Sequence, residues 1–142
     1  MVSIKVLYEG HLHTMITHTE TGQTLHTDAP KDHHGEGKTF SPTDLLGASL
    51  ASCIATLMAM QAQKEKLDLT SMSIDLTKTM TSQGPRRIAN LVLKIHMPVQ
   101  LGKEVMERLE RAAKNCPVWL SLHPDIQKEI TFLGPEDHPP KE

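Results

Sequence analysis

The sequence predicts an α+β fold with the element order β-β-β-α-β-β-α-β. Two groups of segments that alternate apolar and polar side chains, typical of strands, flank a long apolar helix pattern. An amphipathic helix pattern and one more strand pattern follow the second group. The 142 residues are enough for one hydrophobic core. We therefore expect a single domain over residues 1–134 and a disordered tail over residues 135–142.

The N-terminal region has the pattern of three short strands. Glu9-Gly10 marks the first turn, and Thr21-Gly22 marks a hairpin between the second and third strands. The segment over residues 28–38 is rich in Asp, Gly, Pro and His, which predicts a surface loop. The strands are predicted at residues 2–8, 11–19 and 23–27.

The stretch from Ser41 to Lys66 predicts the central helix. Ser41, Pro42 and Asp44 are typical of a helix start. The helix is apolar or small on nearly every side, which predicts burial all round. Gly47, in a face of small residues, costs about 1 kcal/mol of helix propensity, so we expect another backbone to lie close. We predict a homodimer with neighbouring long helices, although small residues also occur beneath an ordinary sheet.

The second half of the chain predicts a hairpin, a helix and a last strand. The apolar residues of the hairpin recur at every second position, and those of the helix recur at helical spacing. Pro117 is suited to the first position of a short further helix. The hairpin strands are predicted at residues 72–81 and 88–97, the helix at residues 102–115 and the last strand at residues 125–133.

Composition excludes several classes of partner. A net charge of −2 and only four aromatic residues disfavour nucleic acid and anionic membrane surfaces. The chain start lacks a signal-peptide pattern, and no apolar run reaches the length of a membrane span. We therefore expect a cytoplasmic protein without nucleic-acid or membrane partners. In that compartment its two cysteines are expected to be inert, metal-binding or redox-active.

Cys53 and Cys116 are the candidate reactive residues. Cys53 lies about three turns into the central helix, where burial raises the pKa of a thiol and makes it unreactive. Cys116 precedes Pro117 at a helix start, where free N–H groups favour a thiolate. Pattern alone leaves open whether the two form a redox pair, because 63 residues separate them (116 − 53).

Two motifs resemble those of one known family. FSPTDLLGASLASC, from Phe40 to Cys53, and NCPVWLSL, from Asn115 to Leu122, resemble the OsmC/Ohr family of osmotically inducible and organic hydroperoxide resistance proteins. The resemblance includes the element order and covers roughly residues 2–134. It implies an intertwined homodimer with central helices flanked by antiparallel sheets and with active sites at the subunit interface.

The resemblance also implies a function. It makes the protein a thiol-dependent peroxidase that reduces organic hydroperoxides in oxidative-stress defence. Cys53 is then the peroxidatic cysteine and Cys116 the resolving cysteine, with a dithiol or lipoylated protein as the reductant. No cofactor and no metal are expected. The alternative is a small-molecule or lipid-binding protein of the same fold with weak or no peroxidase activity.

The sequence departs from the family pattern at two activating positions. The family has a glutamate directly after the helix-start proline and an arginine in the N-terminal strands. Here Thr43 takes the first place, with Asp44 next to it, and no arginine precedes Arg86. Glu36 is a candidate for the carboxylate, although a solvated loop acid is the simpler interpretation. The candidates for the cation, none of which the sequence selects, are His11, His13, Lys38, Arg86 and Arg87.

Nine histidines and one tryptophan allow further interpretations. His33-His34 with Glu36, or His11 with His13, could supply metal ligands. Because paired ligand spacing on a helix is missing, we expect solvent-facing histidines instead. Trp119, near Cys116, is expected in the core or an interface, with the wall of a substrate pocket as the alternative.

Overall fold

The N-terminal strands form an antiparallel sheet of their own. A computed structural model describes residues 1–137 and divides the chain into two compact units, Met1–Leu46 and Gly47–Glu142. The first unit holds the sheet β1-β2-β3, with a short 3-10 turn over Lys31–His33 in the following loop. The hairpin predicted at Thr21-Gly22 is confirmed. The first turn is formed by His11 and Leu12, both with positive φ, and not by Glu9-Gly10 as predicted, because β1 continues to Gly10. The strands are β1 (Ile4–Gly10), β2 (His13–His18) and β3 (Thr24–Asp28).

The second unit holds three further strands and most of the helical structure. Its sheet has the order β4-β5-β6, in which β4 and β5 form the predicted antiparallel hairpin. β6 pairs in parallel with β5, so this sheet is mixed rather than wholly antiparallel as predicted. The remaining elements are α1 (Pro42–Lys64), β4 (Ser73–Met80), β5 (Ile88–His96), α2 (Lys103–Lys114), α3 (Pro117–Ser121) and β6 (Gln127–Leu133).

The hydrophobic core of the second unit lies between its sheet and its helices. The alternation predicted for β5 is confirmed, because its inward residues Leu91, Leu93 and Ile95 are fully buried. Leu109 of α2 and Cys116 are also fully buried in this core. From α1 the core receives one stripe at helical spacing, which consists of Leu50, Ile54, Met58 and Ala62.

The prediction that α1 is buried on every side is wrong for the single chain. Only its core stripe and Gly47 are buried, while Leu46 and Met60 are 40% and 53% exposed. Gly47 faces its own sheet: a Cβ there would lie 2.9 Å from Leu76 Cδ2 and 3.5 Å from Leu91 Cδ2. The close approach that this glycine permits is therefore to side chains of β4 and β5.

The sequence predicts that no segment is long and apolar enough to cross a membrane, and this prediction is wrong when length and hydropathy alone are considered. α1 has 23 residues, and an 18-residue window of it has a mean hydropathy of 1.6 with 28% of the window buried. A core helix of a soluble protein passes the same test. α1 also has the feature of a core helix, because one stripe of its side chains is buried in the hydrophobic core.

The C-terminal tail is described only in part. Pro135–Asp137 forms a 3-10 turn, in which Gly134 N donates to Asp137 Oδ2 at 3.0 Å. Residues 138–142 of the predicted disordered tail lie outside the described residues. The single domain over residues 1–134 stays a prediction.

Candidate functional site

The start of α1 is fixed by a reciprocal cap. Asp44 N donates to Ser41 Oγ at 3.1 Å, and Ser41 N donates to Asp44 Oδ2 at 2.8 Å. The Oγ1 of Thr43 lies 3.2 Å from Ser41 Oγ. The predicted helix start is thus confirmed, and the carboxylate nearest to the family's glutamate position serves the backbone of the cap.

Cys53 lies about three turns after this cap, at the edge of the core. It is half-buried, directly before the fully buried Ile54, and it packs against the core cluster. The helix therefore holds the Cys53 thiol with one side toward the protein interior and one side accessible. This accessibility differs from the complete burial that the sequence predicts.

Cys116 lies in the break between α2 and α3. It is fully buried, and its Sγ accepts a hydrogen bond from Trp119 N at 3.2 Å, so it caps the short helix that begins at Pro117. Trp119 itself is half-buried against the core, as expected. Its ring also contacts Lys128 of β6, whose Nζ lies 5.1 Å from the ring centroid.

The structure brings the two predicted thiols together. Burial is the main cause that raises the pKa of Cys116 above its ordinary value of 9.0, and the Trp119 N–H opposes it. A hydrogen bond that the protonated Cys116 donates to Cys53, and the charge that Cys53 carries when ionised, raise this pKa further. Both cysteines are free. The fold therefore places a protonated, buried thiol close enough to an accessible thiol for the second to raise the pKa of the first.

The pKa of Cys116 corrects a prediction. The sequence predicts a site that favours the thiolate, because Cys116 stands at a helix start. In the structure the cost of burying a charge outweighs the single Trp119 N–H that the sulfur accepts. At neutral pH the proton of Cys116 is therefore retained, and Cys53 is the more accessible of the two sulfurs.

Three of the candidate cations, His13, Lys38 and Arg87, are paired with carboxylates. In the first unit, His13 Nδ1 lies 2.5 Å from Asp28 Oδ1, and Lys38 Nζ lies 2.8 Å from Glu36 Oε2. Glu36, the candidate replacement for the family's glutamate, is thus an exposed loop acid engaged by a lysine. The hydrogen bond from His13 is the main cause that lowers the pKa of Asp28 below 3.8, against the opposing effect of burial.

The two predicted arginines belong to the second unit. They lie at the turn between β4 and β5, where Arg87 Nη2 is 3.7 Å from Asp125 Oδ2. Lys128, which the sequence analysis did not single out, is the cation that stacks on Trp119 beside Cys116. The alternation of β6 could have indicated its side, but not its neighbour.

The sequence did not predict a cluster of side chains of the types that bind metal ions, which lies in the N-terminal sheet. His33, one of the predicted metal-ligand candidates, lies 3.5 Å from Asp32. His13 instead meets Glu9 and His26, and one ligand atom of each lies within 4.8 Å of the other two. The sequence placed His13 in a strand, but the pairing of the three strands was needed to add its two neighbours.

Comparison with known proteins agrees with this arrangement. A family model described as OsmC-like protein matches residues 35–131, about two thirds of the chain. The crystal structure of a proposed osmotic stress induced and detoxification response protein from Psychrobacter arcticus is 35% identical. The match covers 94% of this chain and 96% of that chain, with a TM-score of 0.90. Comparison with curated proteins gives no match.

More distant solved structures share the fold. An organic hydroperoxide resistance protein OsmC from Legionella pneumophila is 17% identical, with a TM-score of 0.75 over 93% of this chain and 96% of that chain. The organic hydroperoxide resistance protein OhrB of Bacillus subtilis is also 17% identical, with a TM-score of 0.70 over 94% and 98% of the two chains. The family model and the 35% identical relative show that this chain belongs to the OsmC-like protein family.

Proposed function

We propose that the protein is a thiol-dependent peroxidase that reduces organic hydroperoxides. The observation that carries the proposal is the contact between an accessible Cys53 and a buried, protonated Cys116. Two structural neighbours named organic hydroperoxide resistance proteins share the fold, which supports the choice of substrate. The proposed roles are peroxidatic for Cys53 and resolving for Cys116.

The reaction follows from this division of roles. The thiolate of Cys53 attacks the O–O bond of the hydroperoxide, so that an alcohol leaves after taking up a proton and Cys53 becomes a sulfenic acid. The Cys116 thiol then condenses with the sulfenic acid, which forms the S–S bond and releases water. A dithiol, such as a dihydrolipoyl group, finally returns both sulfurs to thiols and becomes a disulfide itself.

A homodimer is part of the proposal. The sheet of the first unit exposes a row of apolar side chains on one face: Ile4, Val6 and Tyr8 alternate along β1 and are 62%, 60% and 62% exposed. Single exposed apolar residues are ordinary, but a row of them along one face of a sheet needs a cover on that face. A second copy of the chain supplies such a cover and also the partner surface for α1.

We place this chemistry in the cytoplasm. Both cysteines are free in the structure, and a reducing compartment supplies the dithiol that each catalytic cycle consumes. The apolar surroundings of α1 favour hydroperoxides with alkyl or aryl groups over hydrogen peroxide, because the organic group gains from leaving water.

The test is a thiol count on peroxide titration. Reduced protein should lose both thiols with one equivalent of cumene hydroperoxide and remain a single chain on a non-reducing gel. In Cys116→Ser the reaction should stop at a sulfenic acid on Cys53, which a dimedone probe traps. In Cys53→Ser the remaining thiol, that of Cys116, should not react with the hydroperoxide. If both thiols of the unaltered protein survive excess cumene hydroperoxide, the peroxidase proposal is wrong.

A specific observation favours one alternative, a binding protein for small apolar molecules. The family's activating glutamate position holds Thr43, and the neighbouring Asp44 is engaged in the helix cap. Native mass spectrometry of freshly purified protein separates the two functions. A retained apolar ligand together with unreactive thiols would favour binding, whereas rapid thiol loss to cumene hydroperoxide favours catalysis.

A further inference from the structure

Three strands of the N-terminal sheet present a histidine-carboxylate cluster on one face. His13 of β2 is paired with Asp28 of β3, and Met15 is paired with His26, so His13, Asp28 and His26 share a face. The register of β1 and β2 shifts between Tyr8 and Gly10, which leaves Glu9 at a bulge. A bulge re-aims the side chain that it carries, and here Glu9 reaches the two histidines.

The three facing atoms have the spacing of metal ligands. Glu9 Oε1 lies 3.5 Å from His13 Nε2 and 3.6 Å from His26 Nδ1, and the two nitrogens lie 3.2 Å apart. Ligands on a tetrahedral zinc ion, at bond lengths of about 2.0 Å, are separated by about 3.3 Å. Octahedral ligands at about 2.1 Å would be separated by about 3.0 Å, which is shorter than each of the three distances.

Asp28 supports one of these ligands from behind. Its side chain is 2% exposed, and its two oxygens bind different partners: Oδ1 lies 2.5 Å from His13 Nδ1, and Oδ2 accepts from Lys38 N at 2.9 Å. A carboxylate on Nδ1 holds the imidazole in the tautomer whose Nε2 carries a lone pair. That Nε2 is the atom that faces Glu9 and His26. The structure thus contains the outer carboxylate that metal-bound histidines commonly have.

The charge of the surroundings suits a dication. The cluster lines a cleft of about 470 Å³ that also includes Glu36 and Lys38. With neutral histidines, three carboxylates (Glu9, Asp28 and Glu36) and one ammonium (Lys38) give the cleft a charge of −2 (1 − 3). Two imidazoles and one carboxylate are a donor set that zinc accepts, whereas calcium and magnesium prefer oxygen ligands alone.

We propose that Glu9, His13 and His26 form a binding site for Zn²⁺, with Asp28 orienting His13. The three protein ligands leave the fourth tetrahedral position open toward the cleft, where a water or a small anion completes the coordination. This proposal is independent of the thiol chemistry, because the site uses neither cysteine.

Zinc titration of a cysteine-free chain tests the site. Because adjacent thiols also bind zinc, calorimetry with ZnCl₂ is carried out on the Cys53→Ser/Cys116→Ser variant. We expect one Zn²⁺ per chain. In this background His26→Gln and Glu9→Gln should each raise the Kd by at least about tenfold, on the scale of a lost ligand or supporting residue. Both residues are solvent-accessible on the sheet, so the fold should survive the changes.

The matched control is His33→Gln. His33 is an exposed histidine of the same unit, and its partner is Asp32 rather than the cluster. Its substitution should leave the Kd unchanged. The proposal is overturned if zinc does not bind saturably, or if His26→Gln and His33→Gln have the same effect. In either case His13 and His26 interact through their direct hydrogen bond and not through a metal ion.

The electronic spectrum of bound cobalt gives a second measurement. Co²⁺ substitutes for zinc in sites of this kind, and a tetrahedral site gives intense visible absorption, whereas an octahedral one gives weak absorption. We expect intense visible bands in the cysteine-free chain and their loss in Glu9→Gln. Weak bands would contradict the tetrahedral arrangement that the ligand distances indicate.

Discussion

Oxidation of the two thiols should stabilise the protein by a predictable amount. A disulfide between Cys53 and Cys116 closes a loop of 63 residues (116 − 53). In the chain-entropy description, a cross-link over a loop of this length raises the free energy of unfolding by about 4 kcal/mol, because it restricts the unfolded chain. This value is an upper limit when the native structure must deform to make the bond.

The structure suggests that little deformation is needed. Cys53 is near enough to Cys116 to raise its pKa, so the two sulfurs are neighbours before a bond of about 2.05 Å forms. Cys116 is held at the start of α3 by the Trp119 N–H, and Cys53 by the middle of α1. We therefore expect most of the gain, about 2–4 kcal/mol, to remain.

Urea denaturation measures the gain. Protein oxidised with one equivalent of cumene hydroperoxide is compared with the same protein kept in dithiothreitol, at one pH. With a slope of about 1.5–2 kcal/mol/M, typical of small proteins, the midpoint should rise by about 1–2.7 M. The Cys116→Ser variant, treated in the same way, cannot close the loop and serves as the control.

Two results would refute the reasoning. If the oxidised chain is a disulfide-linked dimer, Cys53 meets another molecule before it meets Cys116. If the bond is intramolecular but the midpoint is unchanged or lower, the native strain equals or exceeds the entropic gain. The second result would show that the contact between the thiols does not have the geometry of a relaxed disulfide.

Three further predictions concern stability. Above pH 9.0 the unfolding free energy should fall more steeply in the unaltered chain than in Cys116→Ala, because burial raises the pKa of the folded thiol while the unfolded thiol ionises; urea melts at several pH values measure this. Below pH 3.8, acidification should destabilise the unaltered chain more than Asp28→Asn, because the lowered pKa of Asp28 in the fold contributes stability that protonation removes; melts in acid measure this. Gly47→Ala places its Cβ 2.9 Å from Leu76 Cδ2, the end of a flexible side chain. The displacement should offset the gain of about 1 kcal/mol in helix propensity, leaving the melting midpoint nearly unchanged.

Sequence patterns predicted most of the strands and helices, because the spacing of apolar residues and the residues at turns and helix starts depend only on neighbours in sequence. The period of two over β5 identified Leu91, Leu93 and Ile95 as core residues, and all three are fully buried. The parallel pairing of β6 with β5 was not predictable in this way. A strand pattern records which side chains face inward, but not the direction of a neighbour that is more than thirty residues away.

The burial of α1 shows a different limit. Its composition indicated burial all round, whereas only one stripe and Gly47 are buried within the chain. An apolar helix face in a sequence indicates that the face is buried away from water, but it does not indicate whether the same chain or a partner buries it. The face of a core helix and that of a partner-binding helix have the same composition, so sequence could not separate them.

The candidate site was predicted only where its parts are local or belong to a motif. The cap of Ser41 and Asp44 follows from residues three apart in sequence. The pairing of Cys53 with Cys116 came from the family resemblance, since the residues alone left it open. The cluster of Glu9 and His26 around His13 depends on strand register and on a bulge, neither of which has a local signal.

The position of Cys53 on α1 connects substrate preference to assembly. Leu46, Cys53 and Met60 follow one another at intervals of seven residues, so they lie along one line of the helix. The two outer residues are exposed and apolar, and the cysteine between them is half-buried. When a second copy covers this line, as we propose, Cys53 lies in an apolar environment that a bulky alkyl group enters at a gain and hydrogen peroxide does not. The preference for organic hydroperoxides is then a property of the dimer and not of the single chain.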